Sequence, residues 1–156
     1  MPVYHSRWND KTDGHKLTCK AVVLPLKGGS VKGPAAEYRG DDLDIIDEAL
    51  LYFRANLLFT QFDVQGPADL VVVYLTAWFA DCLRKLEKSA TKDAAKKVAH
   101  TEGVSKKFPA PGDSKFPFGA FFDKPKSASE KQLFMDGFQQ LRHEAINRLI
   151  ERCYKE

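Results

Sequence analysis

The side chains that could hold a metal or move a proton are present in this sequence, but their spacing scatters them. His5, His15, His100 and His143 and the cysteines Cys19, Cys82 and Cys153 include no pair at the short intervals that ligate a metal ion. His143 precedes Glu144, yet no second histidine follows four residues on, so the zinc-protease pattern is missing. Gly28-Gly29 and Gly33 lack the spacing of a phosphate-binding loop and do not join a strand to a helix. The densest cluster is Asp41, Asp42, Asp44, Asp47 and Glu48, which could in principle serve acid–base chemistry or calcium. No glycine-centred calcium loop accompanies it. The plainer reading is a capped helix start with a solvated face. The expectation is no catalytic residue, no metal and no cofactor.

Charge carries more information. The net charge over 156 residues is only +3, which gives no global attraction to nucleic acid or to an anionic membrane. The charges are nevertheless segregated. From Glu37 to Asp63 the anions Glu37, Asp41, Asp42, Asp44, Asp47, Glu48 and Asp63 face only Arg39 and Arg54. From Arg84 to Lys107 the balance reverses, with Lys85, Lys88, Lys92, Lys96, Lys97 and Lys106 among the cations. Lys92 and Lys96 are one helical step apart and share a face. Such a stretch is either a solvated lysine surface or a site for an acidic protein partner. Nucleic acid is not expected, because aromatic–glycine and recognition-helix motifs are missing.

The elements that position these residues follow from periodicity. An apolar fraction of 44% suits one packed domain, 1–156. Three dispersed cysteines fit a reducing compartment. The start, MPVYHSRWND, holds no apolar signal segment. The longest apolar run, Leu70 to Ala80, is half of what a bilayer requires, so no membrane insertion is expected. Residues 1–40 read as an extended segment, because Pro25 interrupts the run from Ala21 to Leu26.

Four helices are expected, at about 42–59, 67–88, 91–102 and 128–154. In the first, Ile45, Ile46, Ala49, Leu50, Phe53, Leu57 and Leu58 recur at helical spacing. In the second, Pro67 suits the first turn, and Leu70 to Leu83 is apolar on almost every side. That helix should lie at the centre, wrapped by the others. Thr91 can cap the third, and Ser127-Ala128-Ser129-Glu130 forms a capping box for the fourth. Between them, 104–126 carries Phe108-Pro109-Ala110-Pro111-Gly112 and Phe116-Pro117-Phe118. The prolines preclude a long helix, and the aromatics call for burial, so an ordered loop is expected. The fold class on this reading is all-α: a compact helical fold with one buried central helix and an extended N-terminal segment.

Blocks along the whole chain resemble one family. They include Met1-Pro2 with Tyr4-His5-Ser6, Leu24-Pro25-Leu26, Lys32-Gly33-Pro34-Ala35 and, most strongly, Asp44-Ile45-Ile46-Asp47-Glu48-Ala49. Tyr52-Phe53, Ala55-Asn56, Ala68-Asp69, Cys82-Leu83-Arg84-Lys85-Leu86, Phe116-Pro117, Lys124-Pro125 and Gln139-Gln140-Leu141-Arg142 follow in order. In these the chain resembles subunit three of the actin-nucleating complex of actin-related proteins two and three. That family continues past its last helix with an aromatic, basic tail, where this sequence runs to Cys153-Tyr154-Lys155-Glu156.

The resemblance implies a non-catalytic structural subunit next to actin-related protein three. It also implies support for branched nucleation where the assembly meets an existing actin filament, in the cytoplasm at the actin-rich cortex and cell projections. The candidate interface residues are Lys92, Lys96 and Lys97 with Phe108, Pro109, Pro111, Phe116 and Pro117. The rival reading is a free-standing helical adaptor for some other acidic protein.

Overall fold

The computed structural model describes residues 4–28, 31–57, 63–103 and 108–154. Outside them lie Met1-Pro2 and Gly29, the expected run-out of the first helix through Leu58 to Phe59, Gln61, and Lys106 and Lys107. The elements, in chain order, are a 3-10 turn Arg7–Asp10, strands β1 (Lys16–Thr18) and β2 (Ala21–Val23), and helices α1 (Ile45–Leu57), α2 (Pro67–Leu86), α3 (Lys92–Gly103) and α4 (Ala128–Cys153).

The all-α expectation is corrected by the sheet. β1 and β2 pair antiparallel, with Lys16 opposite Val23 and Thr18 opposite Ala21. Cys19 and Lys20 make the turn, both at positive φ, 51° and 77°. Two-residue hairpins favour that geometry, because its twist matches that of the strands. Neither residue is the usual glycine or asparagine, and each strand has only three residues, so period-two patterning had no length in which to show. Pro25 lies just beyond β2 and removes no bond from it. The hairpin is also held from outside. Thr18 Oγ1 donates to the Glu130 carbonyl at 2.9 Å, and the Asp123 N–H donates to the Cys19 carbonyl at 3.1 Å.

α2 is the central element, but helices alone do not enclose it. It packs on α1, α3 and α4, and also on β2 and the Arg7–Asp10 turn. Leu70, Val71, Val72, Tyr74, Leu75, Trp78, Phe79 and Cys82 are buried. A strip containing Ala77, Leu83 and Arg84 remains open to solvent, so the helix is not covered on all sides.

Local chemistry explains where the helices start. The Asp47 N–H donates to Asp44 Oδ1 at 2.9 Å, so Asp44 caps α1. Gly66 precedes α2 with no side chain to cap it. Asn9 supplies the missing acceptor: its Oδ1 takes the Asp69 N–H at 3.0 Å. A methyl group at Gly66 would come within 2.6 Å of that same oxygen, so the position needs glycine. Thr91 Oγ1 accepts from Ala94 at the start of α3, and Ser127 Oγ accepts from Glu130 at the start of α4.

The acidic cluster does not form a solvated face. Asp44 and Glu48 are fully buried, as is Asp69. Glu48 accepts from Ser6 Oγ and, at 3.0 Å, from the Arg7 N–H. Asp69 accepts from the Ser6 and Gln65 N–H groups and pairs with His5 Nδ1 at 2.7 Å. Both carboxylates therefore tie the N-terminal arm onto α1 and α2. Only Asp41 and Asp42 of the cluster are exposed.

Candidate protein interface

α3 carries the basic face. Ala95 and Ala99 are buried against α4, which leaves the opposite side of the helix to solvent. Lys96 and Lys97 are exposed there. Lys92 is partly withdrawn: its Nζ meets Glu151 Oε2 of α4 at 2.9 Å. The lysine pair lowers the Glu151 carboxyl, first through the hydrogen bond from Lys92, with Lys96 adding at longer range. Of the three expected lysines, two point outward and one braces α3 against α4.

The Phe–Pro loop turns mostly inward. Phe108, Ala110, Pro111 and Phe116 are buried, Pro109 is half-buried and Pro117 is exposed. Phe116 makes edge-on ring contacts with Phe122 and Phe134, with centroids 5.2 and 6.0 Å apart. The stack continues from Phe134 to Phe138 at 4.1 Å. Asp113 Oδ2 accepts from the Ala110 N–H and closes the loop locally. Phe108, Pro111 and Phe116 thus serve this chain's own core, and Pro117 is the exposed residue among the five loop positions. Among the described residues, no hydrogen bond or ring contact joins the α3 lysines to this loop.

Two residues outside the expected interface set hold these elements in place, Arg142 at the loop and Tyr154 at a helix corner. Arg142 of α4 lies flat between Trp78 and Phe108, its guanidinium carbon 3.9 and 4.4 Å from the ring centres. Its Nη1 donates to the Tyr74 hydroxyl at 3.1 Å, and Trp78 Nε1 donates back to the Arg142 carbonyl at 3.0 Å. Burial pushes the Tyr74 hydroxyl up despite the nearby Arg142. Just past the end of α4, Tyr154 Oη lies 2.6 Å from the Ser89 carbonyl and 3.2 Å from that of Leu86, pinning the corner between α2 and α3. Charge and spacing flag neither residue; the pairing exists only once the helices are stacked.

Arg148 is the third such residue. It donates to Asp44 Oδ1 at 2.6 Å, Asp47 Oδ1 at 3.1 Å, Glu144 Oε1 at 3.1 Å and the Lys27 carbonyl at 2.7 Å. Burial pushes the Asp44 carboxyl up, but the Arg148 bond and charge, with the Asp47 and Lys27 N–H groups, hold it below its ordinary value. Glu144 goes the other way, raised by burial beyond what Arg148 can lower. Gln140, one turn earlier, accepts the Ala35 N–H at 2.8 Å and donates to the Ala35 and Val31 carbonyls. Gln140 and Arg148 thereby strap Lys27, Val31 and Ala35 to α4.

This arrangement is a scaffold with outward-facing cations, and among the described residues no group of His, Cys, Asp and Glu could hold a metal ion. No described helix is long and apolar enough to cross a membrane. The family P21-Arc, the ARP2/3 complex ARPC3 (21 kDa) subunit, matches residues 1–156. The chain belongs to that family. The Arabidopsis thaliana protein named actin-related protein 2/3 complex subunit 3 is 39% identical over 98% of this chain and 86% of its own length. The Dictyostelium discoideum protein of that name is 40% identical over 97% of this chain and 86% of its own length. For the Saccharomyces cerevisiae one the figures are 34%, 99% and 85%. Membership covers both the buried scaffold and the α3 face.

Proposed function

We infer that this chain is a single-domain structural subunit of an actin-related protein 2/3 complex and supports the nucleation of branched actin filaments. The observation that carries the reading is the family match along the entire sequence. Partnership with the other subunits of that complex follows from it, as does a place in the cytoplasmic actin cytoskeleton. Finer assignments belong to the same reading. The chain sits beside actin-related protein three, acts at the actin-rich cortex and in cell projections, and turns Lys96 and Lys97 toward the existing filament, with Pro117 as the outward edge of the loop.

Exposed lysines suit such a role because an actin filament carries net negative charge and the contact need only steer encounter. The attraction would fade within about 8 Å at physiological salt. The test uses Lys96→Glu together with Lys97→Glu in the assembled complex. Branch formation should slow at low salt, and the gap from wild type should close as salt rises. Full incorporation with unchanged branching at every ionic strength would falsify the filament contact. Lys92 is left intact, because its replacement would break the Glu151 pair and confuse contact with stability.

A further inference from the structure

α1 presents leucines to solvent as well as to the core. Ile45, Ile46 and Ala49 point inward and are buried. Leu51, on the opposite face, is 55% exposed; Leu57, in the last turn, is 48% exposed, and Leu50 is half-buried at the edge of the core. Helical spacing puts Leu50, Leu51, Arg54 and Leu57 on one outward surface. That surface continues into a groove of about 420 Å³ between α1 and α4, floored by Leu43, Leu50 and Leu51 and edged by Asp47, Glu151 and Arg152.

The charges around the groove are unequal in one respect. Its carboxylates are spoken for within the chain: Asp47 pairs with Arg148 and Lys27, and Glu151 with Lys92. Arg54 and Arg152 are exposed, and neither has an ion-pair partner among the described residues. What remains unsatisfied is therefore apolar surface plus positive charge. A second copy of this chain brings no free carboxylate through the same patch, because its Asp47 and Glu151 are paired internally in the same way. A lipid surface is a poor match too, since two arginines provide little attraction to anionic headgroups.

We propose that the outward leucine face of α1 and its groove with α4 dock an amphipathic helix carrying aliphatic side chains and carboxylates, from a neighbouring subunit of the assembly. The occupant's origin rests on the structural-subunit reading above; the surface and its chemistry do not. The groove runs between two helices, and helical partners read such grooves through side chains at i, i+3, i+4 and i+7. The leucines supply the apolar contact, and Arg54 and Arg152 set orientation by meeting the partner's carboxylates at the rim.

The experiment co-expresses the full chain with the remaining subunits of the complex and measures the fraction retained after gel filtration. Two variants probe the groove, Leu51→Asp and the double change Arg54→Glu with Arg152→Glu. A third, Lys96→Glu with Lys97→Glu, serves as control. All of the substituted side chains are solvent-facing, so the melting temperature of each isolated variant should match wild type. Leu51→Asp should lower retention about tenfold. The arginine variant should lower it about threefold at low salt and less at high salt. The lysine control should assemble as wild type does.

Should Leu51→Asp be unstable on its own, the arginine variant decides, because salt-dependent loss cannot arise from a damaged core. Normal retention of both groove variants overturns the proposal while leaving the subunit reading intact. Failure of wild type to assemble overturns both. Sedimentation of the isolated chain as a dimer that Leu51→Asp dissolves would assign the surface to a second copy instead.

Discussion

Arg142 and Arg148 both lie half-buried on α4, and the protein neutralises them by opposite means. Arg142 offers its flat faces to Trp78 and Phe108 and uses one edge for the Tyr74 hydroxyl. Nothing anionic touches it among the described residues. Arg148 offers only its edges, to Asp44, Asp47, Glu144 and a carbonyl. One guanidinium is treated as a polarisable plate, the other as a hub of positive charge. The comparison teaches that an arginine's removal costs what its neighbours lose. Rings can close up against another flat or apolar side chain. Buried carboxylates cannot be left without a cation.

The largest effect should therefore come from Arg148→Met. It strands Asp44, which is wholly buried, together with Glu144, and leaves Asp47 only its longer pair to Lys27. The expected loss is about 3–5 kcal/mol in a denaturant titration, the range for breaking a buried ion pair. A loss under about 1 kcal/mol would mean that water reaches Asp44 and the hub is superficial.

Arg142→Met keeps volume and apolar contact between the two rings. It gives up the ring–cation attraction and the Tyr74 bond, for an expected loss of about 1–2 kcal/mol. If the titration shows Arg142→Met to be as harmful as Arg148→Met, the distinction between plate and hub collapses.

The smallest effect sharpens the comparison from inside the hub. Glu144 is raised mainly by burial. A raised carboxyl contributes stability that is fully present below its unfolded value, about 4.3, and is lost as pH climbs through the folded value. Ionised Glu144 is thus a burden at neutral pH. Glu144→Gln should raise the melting temperature slightly at pH 7 and show no gain below about pH 4. Asp44, held below its ordinary value, behaves in the reverse sense and loses its contribution only on strong acidification. A melting temperature that falls at pH 7 on Glu144→Gln would show that Arg148 needs all three carboxylates.

Legibility in the sequence tracked the range of the interactions involved. Periodicity within α1, α2 and α4 and the Ser127 cap are local, and each could be read from a dozen residues. The hairpin could not, because three-residue strands around Cys19-Lys20 carry no local signature. The roles of Asp44, Glu48 and Asp69 were hidden for another reason. An acidic residue at a helix start normally faces water, and only partners far off in the chain, Arg148 and the N-terminal arm, turn these inward. The candidate interface divided along the same line. Lys96 and Lys97 stay outside because α3 buries only small residues. Phe108 and Phe116 went into the core because Arg142 and the α4 phenylalanines receive them. Leu57 belonged to the expected apolar stripe of α1 and instead looks outward.

The bond from Thr18 to the Glu130 carbonyl spans 112 positions. Closing a flexible loop of that length costs roughly 4 kcal/mol in chain entropy by (3/2)RT ln n, more than one hydrogen bond returns. An isolated pair of three-residue strands is itself marginal in water. The hairpin therefore has no independent existence in time. During synthesis its strands lack the Asp123 and Glu130 partners until residues more than a hundred positions downstream arrive.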